Sequence, residues 1–161
     1  MKLREGVEWA VHCCINLSWV SPDTTVPAAR LAAFHDLPTA YLNKQMNALG
    51  REGIVASRSG PRGGFRLGRP PQDITLMDVA AAIDGSAQAF LCTGIRHHGP
   101  AGRITGQADA RTPCTIAQAF SLAELEWRRN LAGRSIADLA DAVQRANPAA
   151  PEHVRRWFDQ P

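Results

Sequence analysis

Apolar positions repeat at helical spacing over most of the chain and at strand spacing in one short stretch. Leu3, Val7, Val11, Cys14 and Ser18 recur every three or four residues, which predicts a helix over 3–18 with one buried stripe. Ser21-Pro22-Asp23 breaks it. A short helix is expected over 25–34, with Thr25 as N-cap and Pro27 just inside. His35-Asp36-Leu37 makes a tight turn, and a further helix runs over 38–51 until Gly53 stops it. Within that helix Leu42, Met46 and Leu49 fall at i, i+4 and i+7 and point inward. Thr39, Tyr41, Asn43, Lys44 and Gln45 are left to face outward.

The pattern then changes to two short strands, 54–58 and 64–67, joined by the tip Ser59-Gly60-Pro61-Arg62-Gly63. Two helices, a tight turn and a glycine-tipped hairpin make a winged helix-turn-helix candidate. After a linker over 69–74, Thr75 caps a helix closed by Gly85. Residues 93–113 are glycine-rich and polar with no periodicity, and a loop of that length inside a domain is usually functional or disordered, the bracketing cysteines favouring function. Cys92 and Cys114 bracket it. Ile116, Phe120, Ala123, Trp127 and Leu131 then form a long apolar seam that needs a partner, so dimerisation is expected along it. Ser135 caps one more helix, and Trp157 and Phe158 mark a tail that docks. The fold class is therefore mainly α with a small β-hairpin wing. A winged helix-turn-helix domain occupies 1–70, a connecting helix and cysteine loop 71–113, and the dimerisation and C-terminal helices 114–161.

Composition sharpens this picture in two ways. The 161 residues are 45% hydrophobic without a run long enough to span a bilayer, and the N-terminus lacks a signal-peptide core, so a cytoplasmic protein is expected. The net charge of +3 is uneven: residues 1–70 hold nine Lys/Arg against five Asp/Glu, and the remainder nine against ten. An excess of cations around the helix–hairpin unit suits a polyanion. The outward residues of the second motif helix are hydrogen-bond formers with one cation, as base edges and phosphates require. Arg58 and Arg62 on the hairpin would reach phosphate or a minor groove. Double-stranded DNA is the expected partner. An enzyme is not indicated, since no phosphate-binding glycine loop, nucleophile elbow or HExxH occurs.

Of the four cysteines, Cys13 and Cys14 are adjacent on a helix and read as core. Cys92 and Cys114 are candidate ligands. Glu8 and His12 lie one helical turn apart, so carboxylate and imidazole share one face, with Trp9 beside them.

These features together resemble the Rrf-type family of bacterial winged helix-turn-helix regulators, the family of IscR and NsrR. The resemblance rests on YL at 41–42, L-x-x-x-G-I-V at 49–55 and G-x-x-G-G-F at 60–65. It rests also on I-T-L-x-D-V at 74–79, I-D-G at 83–85, Cys92 and C-T-I-A at 114–117. It implies a homodimer with a recognition helix in each major groove, and a roughly palindromic operator with half-sites about 34–36 Å apart. Many members hold a cluster through three cysteines, but the span between Cys92 and Cys114 has none, and Ala110 stands where the third is often found. Two thiolates do not complete a [2Fe–2S] centre. Glu8-Trp9-x-x-His12 is similar to the redox-sensing RsrR branch, in which two Cys of one subunit and a Glu and a His of the other hold the cluster. The resemblance thus implies a [2Fe–2S] cofactor on Glu8, His12, Cys92 and Cys114, with Trp9 as a redox gate. His97 and His98 are alternative donors, and a cluster-free or mononuclear-metal regulator that responds to a small effector or metal is the alternative reading.

Overall fold

The computed structural model describes residues 3–60, 63–100, 102 and 114–159. Its helices are α1 (Glu5–Ser18), α2 (Ala28–Phe34), α3 (Thr39–Arg51), α4 (Leu76–Asp84), α5 (Thr115–Ala132), α6 (Ile136–Ala146) and α7 (Ala150–Asp159). Strands β1 (Val55–Arg58) and β2 (Gly64–Leu67) pair antiparallel, with Val55 opposite Leu67 and Arg58 opposite Gly64. Lys2–Ser86 and Leu131–Pro161 form one compact unit, and Ala87–Asn130 forms another.

In the first unit α1 is the central element. It is contacted by α3, α4, α6 and β2, so it is buried over more than one stripe. Gly6, Val7, Ala10, Cys13, Cys14, Ile15, Asn16 and Leu17 are all buried. The expected stripe was too narrow: Leu3 is 41% exposed and precedes the helix, while Val11 and Ser18 are half-buried. Asp84, at the end of α4, accepts the Arg4 backbone N–H at 3.0 Å and pairs with its guanidinium at 3.2 Å, which fixes the start of α1.

The helix-turn-helix is α2 and α3. Helix α2 begins later than the Thr25 cap predicts, because Val26 is extended and exchanges 2.8 Å backbone bonds with Phe65 of β2. The turn between the helices is made at Asp36, which takes the left-handed conformation (φ 52°) that Asp tolerates better than most side chains. Leu31, Leu42, Met46 and Leu49 are fully buried beneath it. One outward assignment is corrected here. Gln45 is buried, because α1 crosses α3 at Gly6; a Cβ there would lie 2.9 Å from the Gln45 amide.

Helices α4 and α6 start side by side. Thr75 and Ser135 each form a capping box with an aspartate three residues on, Asp78 and Asp138. Between these starts Leu76 donates to the Arg134 carbonyl and Ile136 to that of Ile74, at 2.9 and 2.8 Å. The tail does dock: α7 buries Val154 and Phe158, and Phe158 packs on Phe34 with ring centroids 5.4 Å apart.

Candidate nucleic-acid interface and cysteine site

The amphipathic pattern of α3 leaves Thr39, Tyr41 and Lys44 exposed and Asn43 half-buried, while Gln45 is removed from that surface. Arg58 is exposed at the end of β1, and Arg62 lies outside the described residues. The Trp9 ring meets the Tyr41 ring edge-on, with centroids 5.1 Å apart and planes at 76°. Helix α1 therefore touches the outward surface of α3 through an aromatic pair. The neighbour of the Glu8/His12 face is thus a residue of the candidate DNA surface, which the linear pattern did not disclose.

Glu8 and His12 are exposed and open onto one hollow of about 370 Å³, floored by apolar residues including Leu76, Leu131 and Leu139. Apolar walls weaken competition from water for a ligand held by those two heads.

In the second unit, Cys92 and Cys114 come together. The Cys92 thiol lies beside the Cys114 sulfur, and the backbone N–H groups of Ala117 and Ile116 are directed toward it. Cys114 thus occupies the N-cap of α5, where a serine would ordinarily accept from the free amides of the first turn. Those amides, led by that of Ala117 and joined by the Cys92 thiol and the nearby Arg96 charge, hold its thiol below the usual range despite some burial. Burial has the reverse effect in α1, where Cys13 is pushed up to about 12 and Cys14 is raised further by desolvation and its neighbour. Both are fully buried, as core residues should be.

Glu124 and Arg128 went unnoticed in the sequence, yet they set the cysteine geometry. Glu124 accepts the Ala89 N–H at 3.0 Å and two guanidinium bonds from Arg128 at 2.9 and 2.7 Å. Arg128 in turn donates to the Ala87 carbonyl at 3.2 Å. Phe90 stacks on Phe120 with centroids 4.5 Å apart. Ala87, Ala89, Phe90 and Cys92 therefore descend α5 against Arg128, Glu124, Phe120 and Cys114. The i, i+4 spacing of Phe120, Glu124 and Arg128 on α5 was the available signal, but nothing in the linear pattern names residues 87–90 as the partner. The same helix exposes Ile116, Phe120 and Ala123 of its apolar seam and leaves Trp127 and Leu131 half-buried, so much of that seam is uncovered in one chain. His97 accepts from Arg96 Nε at 3.1 Å, and His98 is exposed beside it. Among the described residues of a single chain, no three His, Cys, Asp or Glu side chains gather in metal-binding geometry.

The Rrf2 family profile, described as an iron-dependent transcriptional regulator, matches residues 3–142. The chain belongs to the Rrf2 family. It is similar to YffB of Lactococcus lactis, which carries the name of an HTH-type transcriptional regulator, at 31% identity over 89% of this chain and 90% of that protein. It is 35% identical to the HTH-type transcriptional regulator IscR of Photobacterium profundum over 58% of this chain and 55% of that one. The fold matches IscR of T. potens with a TM-score of 0.66 at 18% identity, over 91% of each chain. It also matches CymR, the global cysteine regulator of B. subtilis, with a TM-score of 0.63 at 20% identity, over 88% of this chain and 98% of that one. This Rrf2 chain is thus a DNA-binding transcriptional regulator on a winged-helix fold, and its relatives are regulators rather than enzymes. No described helix is long and apolar enough to cross a membrane.

Proposed function

We propose that this regulator is a homodimer that reads redox state through a [2Fe–2S] cluster. Cys92 and Cys114 of one subunit and Glu8 and His12 of the other would hold it. The observation that carries the reading is the juxtaposition of Cys92 and Cys114 at the start of α5, where the helix amides lower the pKa of one thiol. Two adjacent thiols suit one iron, and a carboxylate and imidazole one turn apart suit a second. The relationship to IscR supports the same cofactor class. When bound, such a cluster supplies one-electron redox chemistry.

The chain's own residues would do the rest. The Glu124–Arg128 clamp holds the Cys92 segment along α5. Ile116, Phe120, Ala123, Trp127 and Leu131 along α5 would form the dimer seam. A shift of α1 moves Trp9 against Tyr41 and so tilts α3. Thr39, Tyr41, Asn43 and Lys44 face the major groove, with Arg58 and Arg62 on the wing. Two such surfaces read a roughly palindromic operator, and a small change in the separation of the recognition helices spoils half-site register.

The test is protein purified without oxygen, with its visible spectrum recorded before and after dithionite and its iron and acid-labile sulfide measured. The expected result is iron–sulfur absorption that bleaches on reduction, with equal iron and sulfide. Colourless protein, or iron without sulfide, would overturn the proposal and favour a cluster-free or mononuclear regulator.

A further inference from the structure

A second cavity, of about 470 Å³, lies on the other side of His12. Its aromatic walls are Trp19 at the end of α1 and Phe34 at the end of α2. Three imidazoles, those of His12, His35 and His153, open onto it, together with the Asn16 amide. Asn16 is buried, and its Nδ2 lies 2.7 Å from His35 Nε2, so the two form a fixed polar pair on an otherwise apolar wall. The remaining wall comes from the α6–α7 corner and the first turns of α7, from Val143 to Val154. All of that wall lies beyond residue 142, where the family match ends. That wall is held in place by Phe158 on Phe34 and by the Arg30 guanidinium on the Trp157 carbonyl.

The chemistry of the lining selects the occupant. The volume falls in the range of small-molecule sites, about 300–1,000 Å³. No Asp, Glu, Lys or Arg is among the lining residues, so a formal charge would be desolvated there without a fixed counter-charge. The three imidazoles do not gather in metal-binding geometry with any other ligating residue. Two aromatic walls favour a flat ring system, and the imidazoles and amide favour one hydrogen-bonding substituent on it.

We propose that this cavity binds a neutral, planar aromatic molecule bearing one hydroxyl or N–H group. The ligand would touch α1 at Asn16 and the helix-turn-helix at Phe34 and His35, so its occupancy is felt by both elements that position α3. It would also reach His12 from the side opposite the Glu8 hollow. The site stands on its own lining and does not require the cluster.

The experiment titrates the full-length protein with 2-naphthol and, separately, with 2-naphthoate, by calorimetry. The side-chain amide signals of Asn16 are followed by NMR. Saturable one-site binding of 2-naphthol that moves the Asn16 amide, at least tenfold tighter than that of 2-naphthoate, is expected. Ala149→Trp and Val143→Trp place an indole in the mouth from exposed positions, and each should weaken 2-naphthol at least tenfold while leaving the helical circular dichroism unchanged. Loss in either variant supports the site. No saturable binding of 2-naphthol, equal or tighter binding of 2-naphthoate, or affinity untouched in both variants would overturn it.

Discussion

Two pairs of cysteines in one chain meet opposite environments. Cys13 and Cys14 sit in the middle of α1 with their sulfurs fully buried among core side chains, where desolvation keeps them as thiols. Cys114 stands just before α5 with amide N–H groups aimed at it and the Cys92 thiol alongside, and there the thiol's pKa is lowered. A mid-helix position has no free amides to offer, whereas a helix start has several. Backbone geometry thus divides four chemically identical side chains into a buried packing pair and a more accessible pair at a helix start.

The largest effect that separates the pairs is on bound iron. Cys92→Ser and Cys114→Ser should each abolish stoichiometric iron and sulfide, whereas Cys13→Ala should retain both. Retention in Cys114→Ser would break the division. Next comes reactivity. In metal-free protein at pH 7, iodoacetamide should label Cys114 well before Cys13 or Cys14, which react only through opening of the core and so more slowly by roughly 10³-fold or more. Because the Cys114 value is lowered, its labelling rate should level off at a lower pH than that of a free thiol, and peptide mass spectrometry against pH reads this. A plateau at or above the pH of the free thiol would contradict the amide-cap account.

Stability should run the other way. Cys14→Ser leaves a hydroxyl in a core that holds no assigned partner for it, at a cost of about 1–3 kcal/mol by denaturant melting. Cys114→Ser should change stability by less than about 1 kcal/mol, since serine is a good N-cap. The smallest expected effect is that of Glu124→Gln. Losing the charged partner of Arg128 loosens residues 87–90, so cluster loss to a chelator should accelerate several-fold while the folded content stays the same. An unchanged rate would remove Glu124 from the support of the cysteine pair.

How far the sequence disclosed these features depended on their range. Local signals were legible: the caps at Thr75 and Ser135, the turn around Asp36 and the two strands of the hairpin all follow from residues within a few positions of one another. Contacts between distant segments were not. Gln45 reads as a surface residue of α3 until Gly6 of α1 is laid across it. Phe34 reads as the end of a short helix until α7 packs on it from residues more than a hundred positions away. The Glu124–Arg128 clamp looks like an ordinary i, i+4 surface pair until the backbone of Ala87 and Ala89 occupies its remaining bonds. The Cys92/Cys114 pair itself was expected from the resemblance, and its place at the start of α5 supplies a physical reason for it.

The central claim, that the Glu8/His12 pair of one subunit completes the Cys92/Cys114 pair of the other, is tested most directly by mixed dimers. Subunits carrying Glu8→Ala with His12→Ala are combined with subunits carrying Cys92→Ser with Cys114→Ser, and cluster is reconstituted without oxygen. Each variant alone lacks half of every site. A dimer of the two kinds has one complete site and one empty of ligands, so it should hold half the wild-type iron and sulfide with a wild-type spectrum. Mixed dimers with no cluster, or a full cluster content in either variant alone, would contradict the shared site.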